Sequence, residues 1–165
     1  MRALPQRSFP DFPAAGFAAF DSEPALAAFL RWRPQAVTEL VAQVAAGVPG
    51  ATELAVIDYD GSWTGGLDIA ALAPHLGGVL YCAYFAPPAQ IGALLAPVKA
   101  ALGPAKRLTA GFQLFHPNLT DAADLADRVA AAKAYADGLN FYNLGLVPPA
   151  RMAWMRDALQ LTSAE

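Results

Sequence analysis

Asp58 and Asp60 stand two residues apart at the end of the apolar run L-A-V-I, just ahead of a glycine-flanked tryptophan, Trp63. On extended backbone such residues share a side, so the two carboxylates could divide acid–base work, bind a cation or accept hydrogen bonds from sugar hydroxyls. The same residues also read locally, with Asp60-Gly61 as a turn and Asp58 as a backbone cap. Trp63 offers a flat apolar face that matches a pyranose ring, or an anchor tucked into the core. Tyr81 and Tyr84 end the next apolar run, G-V-L-Y-C-A-Y-F, one facing the interior and the other reaching a cleft with its hydroxyl. His116 ends R-L-T-A-G-F-Q-L-F-H and titrates near neutral pH, so it could move a proton, although the Pro117 that follows favours a turn histidine. Asn140, Tyr142 and Asn143 close the run A-D-G-L-N-F-Y-N-L-G-L, where the amides would orient a substrate or tie down neighbouring loops. Cys82 lies inside an apolar run with no base beside it and reads as packing. The two histidines and one cysteine are dispersed without metal-ligand spacing, so no metal or cofactor is expected.

Each group of candidates sits at the end of an apolar run that precedes a helical pattern. Strands are predicted over residues 54–59, 78–85, 107–115 and 138–143, and helices over 23–46, 68–75, 89–102, 121–135 and 150–159. In the first helix Leu26, Phe29, Leu30, Val37, Leu40, Val41 and Val44 form one apolar face, and Pro34 is expected to kink or split it. Thr120 is the expected N-cap of the fourth helix, and Met152, Met155 and Leu159 the buried side of the last. Residues 1–20, broken by prolines and carrying Phe9, Phe12, Phe17 and Phe20, read as an irregular segment. The chain is thus a single domain over 1–165, with βα units filling 21–165. A repeat of about 25–30 residues with strand–helix alternation implies an α/β fold of parallel strands, and four such units make half of a TIM barrel. An open doubly wound sheet is the alternative, although no G-x-G-x-x-G or Walker loop follows any strand. In either architecture ligands bind beyond the C-terminal strand ends, where the candidates lie.

Composition narrows the classes further. Hydrophobic residues make up 56 % and charged residues 15 % of the chain, which suits a folded core. A net charge of −3 and scattered basic residues give no case for nucleic acid or an anionic membrane. No apolar h-region opens the sequence and no run is long enough to span a bilayer. The default expectation is a cytoplasmic protein, or an exported one should a missing N-terminal part carry the signal.

The segments F-L-R-W-R-P-Q-A-V-T-E-L-V, D-Y-D-G-S-W-T-G-G-L-D-I-A-A-L, A-Y-F, T-A-G-F-Q-L-F-H-P and D-G-L-N-F-Y-N-L-G-L together resemble the C-terminal half of a glycoside-hydrolase-like TIM barrel. The resemblance covers roughly residues 20–159. It implies that residues 58–63 end the fifth strand of such a barrel, 81–85 the sixth, 113–116 the seventh and 140–143 the eighth. It brings Gln113 into the candidate set as a substrate contact beside Trp63, Tyr84, Asn140, Tyr142 and Asn143. Asp58, Asp60 and His116 would be the catalytic groups, Asp58 as the acid–base or electrostatic one, with Trp63 and Tyr142 as stacking walls. The chain departs from the family where a glutamate nucleophile is expected, because the seventh strand ends in Gln113, Leu114, Phe115 and His116. Two expectations follow. One is a carbohydrate-binding or carbohydrate-hydrolysing cleft. The other is a non-catalytic barrel half whose partner is a second copy, as a homodimer, or a missing N-terminal half.

Overall fold

A computed structural model describes residues 24–50, 52–59, 65–115 and 119–161, so the expectations for residues 1–20 lie outside the described part. The fold is α/β. Helix α1 (Pro24–Gly47) leads into strand β1 (Ala55–Asp58), and α2 (Ile69–Leu72) runs on as a 3-10 turn before β2 (Gly78–Cys82). Then come α3 (Pro88–Leu102), β3 (Arg107–Gln113), α4 (Ala122–Lys133), β4 (Gly138–Tyr142) and α5 (Pro149–Leu161).

The four strands form one open sheet in the order β1-β2-β3-β4, every pair parallel. One row of the register runs Asp58, Tyr81, Ala110 and Leu139 across all four strands. The order never reverses, so the sheet has no switch point of the doubly wound kind.

Alternation along the strands sorts the side chains into two unlike faces. One face carries Val79, Tyr81, Leu108, Ala110 and Phe112, buried against Ile91, Leu95, Val98 and Leu102 of α3 and Leu125, Val129 and Ala132 of α4. This is the core. The other face holds Ile57, 69 % exposed, together with partly covered Leu80, Thr109, Gln113 and Asn140. Parallel sheets are ordinarily covered on both faces. Among the described residues the helices pack on one.

The N-terminal strand ends are tied by polar contacts. Asp137, just ahead of β4, accepts hydrogen bonds from the Leu108 amide at 2.8 Å and from Lys99 Nζ at 2.7 Å, linking α3, β3 and β4. Arg107 pairs with Glu53 across the start of the sheet.

Several boundaries differ from the sequence reading. Pro34 does not split α1, which is continuous from Pro24 to Gly47, and Thr38 Oγ1 donates to the Pro34 carbonyl at 2.8 Å. The apolar face expected for α1 is only partly used: Val41 packs against the core, whereas Phe29, Leu40 and Val44 are exposed, as is Trp32. The N-cap of α4 is Asp121 rather than Thr120, since its carboxylate accepts the Asp124 amide at 2.8 Å. A carboxylate also answers the positive end of the helix dipole, which a hydroxyl cannot. Asp124 in turn accepts two hydrogen bonds from Arg128, at 2.9 and 3.1 Å. In α5 the inner positions are Trp154, Met155 and Ala158, while Met152 and Leu159 point outward. Strand β2 stops at Cys82 and β3 at Gln113, so Tyr84 and Phe115 lie two residues beyond their strands.

Candidate functional site: an aromatic cleft at the strand ends

Parallel pairing brings the C-terminal ends of all four strands to one edge, and each delivers an aromatic ring there. Tyr59 follows β1, Tyr84 follows β2, Phe115 follows β3, and Tyr142 is the last residue of β4. All four share the parity of the face that the helices leave uncovered. Tyr84 is the centre of the row. Tyr59 meets it edge-on with ring centroids 5.9 Å apart, and Tyr142 stacks on it at 5.6 Å with an interplanar angle of 19°. Phe115 continues the row against Tyr142 at 6.4 Å, and Phe85 flanks Tyr59 at 6.2 Å. Offset and edge contacts of this kind are the favoured geometries of aromatic pairs. Covered from both sides, Tyr84 keeps 7 % of its surface exposed, while Tyr59 keeps 54 % and Tyr142 44 %.

Tyr59, Tyr84, Phe115 and Tyr142 line a cleft of about 620 Å³, with Ile57, Leu80 and Cys82 as apolar lining and the amides of Gln113 and Asn140 as polar groups. Burial pushes the Tyr84 phenol well above its ordinary pKa, and its hydrogen bond with Cys82 pushes in the same direction. Burial likewise raises the Cys82 thiol, the Tyr84 hydrogen bond opposes this, and the negative charge of Asp58 adds to it. Both groups are therefore neutral at physiological pH. A protonated thiol is a poor nucleophile, so Cys82 serves as a small lining residue.

Of the candidates from the sequence, Tyr84, Gln113, Asn140 and Tyr142 come together in this cleft. Asn143 lies next to it and does a structural job: its side-chain oxygen accepts the Gly145 amide at 3.1 Å and holds the turn that leads to α5. The Tyr142–Asn143 peptide bond is cis. Asp58 was expected beside Tyr84 and Tyr142, and the structure places it elsewhere. Its parity puts it on the helix-covered face, 4 % exposed, while its neighbour Ile57 takes the cleft side. There it lines a second cavity, of about 550 Å³, with Tyr81 of β2, Leu67 and Leu94. Asp60, Trp63 and His116 lie outside the described residues. Among the described residues no carboxylate lines the aromatic cleft, and no group of three His, Cys, Asp or Glu is arranged to hold a metal ion.

Tyr59 and Phe115 are cleft residues that reading the sequence passed over. The signal was present as strand parity, since 57 and 59, 82 and 84, 113 and 115, and 140 and 142 form matching pairs on one face.

The chain is an α/β protein of consecutive βα units with an aromatic cleft at the C-terminal strand ends. Comparison with protein-family models, with curated proteins and with solved structures finds no match for this chain. No described helix is long and apolar enough to cross a membrane.

Proposed function

We propose that this chain binds a carbohydrate in the aromatic cleft. The observation that carries the reading is the row Tyr59–Tyr84–Tyr142–Phe115 set beside the Gln113 and Asn140 amides. Two half-exposed phenol rings offer flat faces for the apolar side of a sugar ring, and the amides suit its hydroxyls. The resemblance to glycoside-hydrolase-like barrels supports the same ligand class. Binding, rather than hydrolysis, is the activity the described residues can perform. Glycoside hydrolysis needs a pair of carboxylates flanking the bond, and Asp58 stands on the far side of the sheet.

The test is a titration of the purified chain with a panel of soluble oligosaccharides, followed by amide chemical shifts in NMR. A binder should shift the amides of residues 57–59, 82–85, 113–115 and 140–143. Tyr142→Ala should weaken binding about tenfold, equivalent to roughly 1.4 kcal/mol, by removing one exposed stacking face. Asp58→Asn should leave affinity within about twofold, because the side chain does not reach the cleft. Absence of binding by any panel member at millimolar concentration, or binding that ignores Tyr142→Ala, would overturn the reading.

A further inference from the structure

We propose that the uncovered face of the sheet is closed by a second copy of this chain, two four-stranded sheets joining into one eight-stranded barrel. The sheet has two strand edges, β1 and β4, for which no described residue supplies a partner. Both strands run the same way, because every pair in the sheet is parallel. A two-fold axis along the strand direction therefore sets β4 of one copy parallel to β1 of the other, and does so twice. One self-complementary contact satisfies all four edges at once. Four and four make the strand number at which a barrel interior is just filled by side chains.

The chemistry of the face fits that interior. Ile57, 69 % exposed at the β1 edge, would be buried by closure. Gly78, Gly111 and Gly138 share the parity of Leu80, Gln113 and Asn140, and neighbouring Arg107, Leu80, Tyr84 and Thr109 fill the space beside them, so this face is smooth rather than hollow. Outside each new seam, α5 of one copy approaches α1 of the other, and these helices carry outward-facing apolar side chains: Phe29, Leu40 and Val44 on α1, Leu159 on α5. Strands about 4.8 Å apart and five residues long at about 3.3 Å each give a face of roughly 300 Å² in plan. Side-chain relief, two edges and the helix flanks add to that figure, and a stable dimer requires the total to approach about 800 Å² per partner. Closure would also place a second Tyr59–Tyr142 row across the barrel mouth, so that each copy supplies part of the wall facing the other's cleft.

The experiment is light scattering on the full-length chain after size exclusion, across a concentration series and without sugar. The expected result is a species of twice 17.3 kDa. Ile57→Asp should shift it at least tenfold toward monomer with the far-UV circular dichroism unchanged, whereas Asp127→Asn, on the exposed side of α4, should leave it dimeric. Should Ile57→Asp fail to fold, hydrogen exchange of the unaltered chain decides: amides of residues 55–58 and 138–142 should gain protection as concentration rises through the dimerisation range. A monomer at all concentrations, an open series of larger species, or a dimer whose edge amides gain no protection would each overturn the proposal. The mass is read without ligand, so this result stands or falls separately from carbohydrate binding.

Discussion

Asp137 carries more of the local architecture than any residue that looked chemical from the sequence. Its carboxylate holds the Lys99 ammonium and the Leu108 backbone amide together, and these two contacts keep its pKa below the ordinary carboxylate value, the Lys99 hydrogen bond first. A carboxyl whose pKa falls on folding contributes stability above its unfolded pKa and loses it as pH drops. The contribution should be complete at neutral pH and fade on acidification through and below about 3.8. Asp137→Ala leaves the amide of buried Leu108 without this acceptor, at a cost of roughly 1–3 kcal/mol. Urea unfolding at pH 7 and pH 3 checks both points: the variant should lose stability at pH 7 and differ less from the parent at pH 3. A variant as stable as the parent at pH 7 would show that the two contacts contribute nothing. Asp58 shows the opposite lesson. Its type and spacing suggested chemistry, and its placement on the covered face was decided by where β1 pairs with β2.

The elements were legible in their order and kind, because four apolar runs alternate with helical patterns and each change is punctuated by Gly or Pro. Their ends were less legible. Asp121 outcompetes Thr120 as a cap because a charged acceptor serves the helix dipole as well as the free amide. Gly103 follows α3, and its backbone shows how the helix stops. Its φ of 84° and ψ of 166° let α3 stop while its amide still bonds the Lys99 carbonyl at 3.0 Å. A side chain there meets no neighbour within 4 Å, so Gly103→Ala isolates the backbone term. It should cost about 1–2 kcal/mol and leave the aromatic cleft unchanged. Thermal unfolding of the two proteins measures it, and an unchanged midpoint would refute the assignment. The exposed side chains of α1 were not legible, since periodicity identifies an apolar face without saying what covers it.

At the scale of the molecule, the sheet is a run of neighbours in sequence order, with the described helices on one side and an aromatic row at one end. The two proposed properties draw on that arrangement together: sugar recognition would use the rings at the rim, barrel closure the two edges, and Ile57 on the open face would belong to both. The sequence by itself determined the α/β class, the parallel strands and the end of the sheet where the candidate residues gather. Periodicity, strand–helix spacing and the handedness of crossovers are local or nearly local constraints. It also determined that Tyr84, Gln113, Asn140 and Tyr142 sit near strand ends. Only the tertiary structure decided which of those residues face one another, because the face a side chain takes depends on register, and a shift of one residue inverts every position. Register set Ile57 and Tyr59 on the cleft side and Asp58 on the core side, and so made the cleft a surface of rings and amides.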